Sequence, residues 1–399
     1  MSSPRRQRRF TDILRFSGGA PRIARRKRAT TPQSGDVVQY NAGGPTSGLI
    51  IGPDQNIWFD VGGDIAFFNP STLAIQSFFG TAGLIQELTV GSDGNVWFVV
   101  SWNNPGCVGR CTPGGEVATW PIDGWSSGLV LGDDGNIWFN EVGVNGLRGK
   151  AIGSVTPSGT VSQYATTSDT QDPIVGPGGN IWFGESGAFV GTVTSSGAVT
   201  EYEALPGTTD LLVTPDGNVW FGSQTNLGFV TPSGALMTID TGGNGTFGLI
   251  LGPGGDTVWF GSQFSSQVGQ AALDGTLLGM YNTSGVPMGL CLGGDGNVWF
   301  TQLADAIGSV TPAGAVSEFA TFGMGPWSPI LGSDGNVWFP DGGDGSILTQ
   351  RYIGRVTPGG SVSEFLTNGL PNTLLNSPDG GSLIYFGENA PLLGSVSVG

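Results

Sequence analysis

The hydrophobic and polar positions of this chain recur in one order: an apolar run, a Gly/Asp-rich turn, then Trp-Phe. The Trp-Phe pairs begin at Trp58, Trp97, Trp138, Trp182, Trp220, Trp259, Trp299 and Trp338, and a Tyr-Phe variant follows at Tyr385. Successive pairs stand thirty-eight to forty-seven residues apart, a period that marks stacked supersecondary units. In the copy around Trp138, Leu129-Val-Leu-Gly leads through Asp133-Asp-Gly into Asn136-Ile-Trp-Phe. These apolar runs are too short for helices, and Asp-Gly between two such runs signals a hairpin because glycine takes φ > 0 at little cost. After a variable loop come Ile152-Gly-Ser-Val-Thr, the turn Pro157-Ser-Gly, and Thr160-Val-Ser-Gln-Tyr. Proline early and glycine late suit a type I turn. Each unit therefore predicts four short antiparallel strands.

Adjacent Trp and Phe on a strand point to opposite faces, so both faces of that strand must be covered. Radial repetition of four-stranded blades meets that demand and leaves only short edges. The expected fold is an all-β propeller. The last copy, with Leu383-Ile-Tyr-Phe and Leu393-Gly-Ser-Val-Ser, ends one strand short, while an unassigned run, Val37-Val-Gln-Tyr, precedes the first copy. Supplying that run as the missing strand predicts nine blades closed by the N-terminal strand, with eight blades plus one irregular unit as the alternative. The first copy, with Asn69-Pro-Ser-Thr at a turn, and the sixth, with Ala271-Ala-Leu-Asp-Gly-Thr, are the least regular.

Composition divides the chain sharply. Residues 1–28 hold ten of the fifteen basic side chains and one acid, a charge of about +9, whereas the remainder holds five basic and thirty acidic side chains, about −25. We read residues 1–36 as a basic arm and 37–399 as a single propeller domain. The propeller's charge repels nucleic acid and anionic membranes at long range. No apolar stretch is long enough for a membrane helix. In the arm, Arg5, Arg6, Arg8, Arg9, Arg25, Arg26 and Arg28 are candidate contacts to an anionic or protein partner. The alternatives are a solvated tail, a processed leader, or docking onto the acidic propeller of a second copy. Cys107, Cys111 and Cys291 are expected as free thiols, because three cysteines cannot all pair and no zinc spacing accompanies them, with a Cys107–Cys111 bridge as the alternative.

Residues just before the first strand of each blade should gather around one mouth of the ring. There the chain places Trp125, Asp172, Phe247, Met288 and Trp327, an expected binding rim with apolar character. Packing between loops is the alternative, and the same ambiguity holds for Trp102 and Phe264. Carboxylates shortly after the Trp-Phe pair (Asp60, Glu141, Glu185, Asp341 and Glu388) are the remaining chemical candidates. Glu185 shares its unit with Glu201, and oxygen-only sites can hold Mg²⁺ or Ca²⁺. The reading adopted for these carboxylates is solvated strand-end residues that recur because the repeat recurs. Nothing matches a P-loop, a nucleophile elbow or a zinc motif, and neither cofactor nor metal is expected.

The Gly-x-Asp-Gly-Asn-Val-Trp-Phe hairpin at Gly332, followed by Ile353-Gly-Arg-Val-Thr-Pro-Gly-Gly-Ser-Val-Ser-Glu-Phe, resembles the virginiamycin B lyase (streptogramin lyase) family over nearly all the chain after the arm. The resemblance implies a propeller, and for lyase members a seven-bladed ring that opens type B streptogramins by elimination. It further implies a histidine general base and a magnesium ion near acidic residues. This chain has nine repeats and no histidine, the residue whose pKa best suits that base. The leading expectation is thus a non-catalytic structural or recognition propeller, tethered by its arm to a larger assembly such as a virion or phage tail. A streptogramin-lyase-like enzyme, or a drifted descendant of one, is the second reading. A secreted or surface propeller that binds a ligand or glycan is the third.

Overall fold

The computed structural model describes residues 37–398 except 79–82, 102–105, 144–148, 244, 263, 304, 324–327 and 343–350. Nine four-stranded antiparallel sheets follow one another along the chain, as the alternation of apolar runs and tight turns requires. We number them as blades one to nine: residues 46–78, 84–121, 129–165, 170–203, 209–239, 246–282, 287–320, 330–367, and 371–397 completed by 37–41. The strands of each blade are inner, second, third and outer in chain order.

Blade nine takes its outer strand, Val37–Asn41, from the N-terminal side, with Val37 opposite Val396 and Asn41 opposite Leu392. This closes the ring as the unassigned Val-Val-Gln-Tyr run predicts. Both weak copies form complete blades, which excludes the irregular-unit alternative and departs from the seven blades implied by the resemblance. In blade one, Asn69 makes the unusual turn by accepting the amides of Ser71 (3.0 Å) and Thr72 (2.9 Å) on its side chain.

The Trp-Phe pair is the seam between blades. Trp58 packs into one cluster with Val96 and Phe98 of blade two, whereas Phe59 faces Tyr385 and Leu393 of blade nine. Blades one to eight thus present tryptophan to one neighbour and phenylalanine to the other, and blade nine presents Tyr385 in place of tryptophan. Truncating one buried tryptophan to alanine costs about 3–5 kcal/mol. The turn aspartate serves the same seam. Asp54 accepts the indole N–H of Trp58 (2.9 Å) and the side-chain amide of Asn56 (2.6 Å), and Asp93, Asp134, Asp295 and Asp334 take their own indoles likewise. The third-strand glycine is sterically required. A Cβ on Gly153 would fall inside the Phe139 ring.

Candidate functional site

The loops that enter each inner strand and those that join the second and third strands open at one end of the ring; the tight hairpins lie at the other. At the loop end, seven inner strands shift register, between Ser47 and Ile50, Ile85 and Glu87, Gln171 and Ile174, Thr209 and Leu211, Phe247 and Ile250, Pro287 and Gly289, and Pro371 and Leu374. Such bulges re-aim side chains. Gly48 and Gly248 take left-handed φ at their bulges, but Asp172 (φ 43°) and Asp210 (φ 52°) do so as non-glycine residues, a conformation that aspartate tolerates better than most.

Three acids stand at or within the bulges, at the loop end of blades two, four and five: Glu87, Asp172 and Asp210. Glu87 reaches over blade three, where its Oε2 accepts the Leu129 amide (3.0 Å). Gly128 lies between, and a Cβ there would stand 3.4 Å from Glu87 Oε2 and 3.1 Å from Pro173. Glu87 and Asp172 are exposed residues, although neighbouring strands crowd round their carboxylates. That enclosure pushes Glu87 up to about 7, against the Leu129 amide and with help from the charge of Asp172. It raises Asp172 as well. Asn140 braces these strands by accepting the amides of Ser127 (3.0 Å) and Gly128 (2.7 Å) and donating to the Thr170 carbonyl (2.9 Å).

The carboxylates at the end of the second strand contradict the solvated reading. Asp60, Glu141, Glu185, Asp341 and Glu388 are all buried, because the next blade and the incoming loop cover the strand end. Four of them join a residue of the outer strand, diagonally across the third. Gln163 donates to Glu141, and Gln39 donates to Glu388. Glu185 and Glu201 hold the same two positions in blade four, and Asp341 and Glu364 in blade eight, where Glu185 feels the charge of Glu201 and Glu364 that of Asp341. In blade seven an amide takes the inner place, Gln302 donating to Glu318 (3.0 Å).

These pairs fasten the loop that enters their own blade. Glu185 accepts the amide (2.9 Å) and hydroxyl (2.7 Å) of Ser168, while Glu201 accepts the amide (2.6 Å) and hydroxyl (2.8 Å) of Thr167. Glu318 accepts the Ser284 amide (2.7 Å), and Gln302 accepts that of Gly285 (3.1 Å). Glu364 accepts the Phe322 amide on both oxygens (2.9 and 3.0 Å), and Asp341 accepts that of Gly323 (3.0 Å). Burial raises Glu141 and Glu388 to about 7 against their amide partners. Burial together with Glu201 raises Glu185 to about 7. Burial and then Asp341 carry Glu364 to about 9.

Of the expected rim, Asp172 stands at the loop end. Trp125 is half-buried and pairs its backbone with Val142 (3.0 and 2.8 Å). Phe247 (5% exposed) and Met288 (8%) are buried, so at these two positions the exposed apolar rim gives way to packing beneath the bulges. Phe264 is open, 62% exposed. Trp327, Trp102 and the arm residues Arg5, Arg6, Arg8, Arg9, Arg25, Arg26 and Arg28 lie outside the described residues. Cys107, Cys111 and Cys291 are free. Among the described residues no group of three His, Cys, Asp or Glu side chains could hold a metal ion, and no helix is long and apolar enough to cross a membrane.

Sequence reasoning missed Glu87 and, Glu201 apart, the outer-strand partners. For the partners a signal existed: each is the Glu or Gln immediately before the outer-strand aromatic, as in Val-Ser-Gln163-Tyr and Val-Ser-Glu364-Phe.

No curated protein matches the chain. A catalytically inactive virginiamycin B lyase from Staphylococcus aureus, solved with quinupristin, is 21% identical, the match covering 69% of this chain and 95% of the lyase at a TM-score of 0.49. A streptogramin B lyase structure is 25% identical over 66% of this chain and 93% of its own, with a TM-score of 0.47. The computationally designed Ika8 protein reaches a TM-score of 0.54 at 11% identity, over 81% of this chain and 96% of its own, a likeness of fold alone. The model of the virginiamycin B lyase family matches residues 19–227 and 232–397. With that match over most of its length, the chain belongs to the virginiamycin B lyase family.

Proposed function

We propose that this protein is a recognition propeller, tethered at one end through its basic arm and presenting an acidic mouth at the other. The observation that carries the reading is this polarity. Val37, where the arm joins the ring, pairs with Val396 at the close of a third strand and so lies at the hairpin end. Glu87, Asp172 and Asp210 gather at the loop end, where the inner strands begin. The residues of the seam repeat from blade to blade, whereas the bulge positions differ. A rigid frame with one variable mouth is the arrangement expected of a binding module. The acids suit a ligand that carries positive charge or several hydrogen-bond donors. A virion role draws no support from the fold or the relatives, and the reading stands without it.

A second reading is favoured by the setting of Glu87: it is exposed on an inner strand, and crowding by neighbouring strands pushes its carboxyl up to about 7, the range that suits a general base. In an elimination it would take the substrate proton in place of the absent histidine.

Calorimetric titration with quinupristin, paired with mass spectrometry for ring-opened product, separates the two. Saturable binding without product, weakened tenfold or more by Asp172→Asn, supports recognition. Product that disappears in Glu87→Gln replaces it with catalysis. For the tether, full-length protein should form a larger species, or capture a partner, that residues 37–399 do not; identical monomers would remove that half of the proposal.

A further inference from the structure

Five blades carry Glu, Asp or Gln three residues after the Trp or Tyr of the seam: Glu141, Glu185, Gln302, Asp341 and Glu388. The same five carry Glu or Gln before the outer-strand aromatic: Gln163, Glu201, Glu318, Glu364 and Gln39. The other four have Val61, Val100, Ser223 and Ser262 at the first position, and Ser77, Thr119, Thr238 and Met280 at the second. The two positions change together, so they form one device. In blades three, seven and nine an amide meets a carboxylate, and the bond needs no added proton. In blades four and eight, acid meets acid. Two carboxyl groups hydrogen-bond to each other only while one of them keeps its proton.

We propose that the Glu185–Glu201 and Asp341–Glu364 pairs are proton-operated latches, each holding one shared proton whose loss to solvent releases the loop entering its blade at the mouth. The inference holds whether or not the mouth takes the ligand proposed above. In each pair the inner acid is buried and has one oxygen with no hydrogen-bond donor, Glu185 Oε1 and Asp341 Oδ1. An unshared charge at either place is unfavourable. Once the proton leaves, the two negative charges repel. Glu201 is half-exposed and turns to water, giving up both bonds to Thr167. That residue lies five positions before Asp172, so the released segment runs into the bulge of blade four. Glu364 is itself buried and has no such exit, so its latch opens at higher pH.

Among the described residues no cation offsets either pair. Besides burial, Glu185 feels Ser168 and Glu201, while Glu364 feels Asp341 and the Phe322 and Gly323 amides. From the packed elements, Asp341 also meets Thr321 and Asp305, and Tyr352 of the third strand is raised by burial and both acids. Near the blade-four pair, Asp169 of the same loop accepts the Gly143 amide (3.0 Å), and Glu203 and Lys150 are exposed.

Two measurements on the full chain test this. Infrared spectroscopy should find protonated carboxyl that persists at pH 8 and fades near 9, above the step near 7 to which Glu87, Glu141 and Glu388 also contribute, and that is absent from Glu364→Gln. Hydrogen exchange of residues 166–172, corrected for the intrinsic effect of pH, should lose about tenfold protection between pH 6 and 8. Glu201→Gln, which copies blade three, and Glu185→Gln, which copies blade seven, should hold that protection constant. No protonated carboxyl at pH 8, or equal protection at both pH values in the unmodified chain, would overturn the proposal.

Discussion

Blade seven fastens its entering loop with Gln302 and Glu318, whereas blade eight fastens its own with Asp341 and Glu364. The strands, the register and the bonded loop amides correspond closely. What differs is the proton count. The amide of Gln302 brings its own donors to Glu318 and to the Ser284 hydroxyl (3.0 Å). Asp341 and Glu364 must borrow a donor from solvent, and both are buried. The same scaffold therefore carries a pH-independent tie in one blade and a pH-dependent one in the next.

Deleting one partner separates the two blades most strongly. Glu364→Ala leaves Asp341 buried without its partner and strips the Phe322 amide of its acceptor, and removing one member of such a pair is expected to cost about 3 kcal/mol. Glu318→Ala, at a half-exposed position where water can replace the lost acceptor, should cost about 1 kcal/mol. Chemical denaturation at pH 7 gives both values. Equal losses would mean that burial of the second acid contributes nothing.

The next effect concerns pH. Glu364 titrates higher in the folded chain than unfolded, so between about 4.5 and about 9 the folded state carries the extra proton. Its contribution to stability is then fully present below the unfolded pKa and is lost as pH rises through the folded one. Glu185 adds a decline of the same sign near 7. Stability should thus fall from pH 5.5 to pH 9.5, and Glu364→Gln should gain on the unmodified chain at the alkaline end while losing or matching it at pH 5.5. Parallel curves for the two proteins would show that the pair does not hold the proton.

Much of this fold was legible beforehand because it rests on local chemistry. Trp-Phe on one strand demands two covered faces, and Asp-Gly demands a hairpin. The closing strand was readable from Val37-Val-Gln-Tyr because it matches an outer strand in residue type. The site was far less legible. Glu185 and Asp341 look like strand-end acids in sequence, and only the curvature of the ring, which lays the next blade over them, makes them buried. Phe247 and Met288 look like a rim, but the register shift beside them turns them into the blade. Glu87 had no local mark at all, since its setting depends on Leu129 and Asp172 from two other blades.

Conversion runs the comparison the other way. Gln302→Glu gives blade seven an acid pair with Glu318. The Gly285 bond survives, the donor to Ser284 is lost, and a proton must now be taken up. A loss of about 1 kcal/mol at pH 8 is expected, smaller at pH 5.5, because the ordinary worth of such a hydrogen bond is of that size. Thermal denaturation at the two pH values reads the difference. If the loss is independent of pH, the new carboxyl has found water instead of Glu318.

The smallest effect belongs to Glu201→Gln in blade four. Its partner Glu185 is buried, but Glu201 reaches solvent, so screening and water lower the benefit of replacing the shared proton with an amide. A gain of about 0.5 kcal/mol at pH 8 and none at pH 5.5 is the expectation. The amide can donate to Glu185 while its oxygen still accepts from Thr167, which holds two bonds to Glu201 in the unmodified chain. A gain equal to that of Glu364→Gln at alkaline pH would show that exposure of the outer acid does not set the latch. Blades four and eight would then be one device with one threshold, where their unequal burial predicts two.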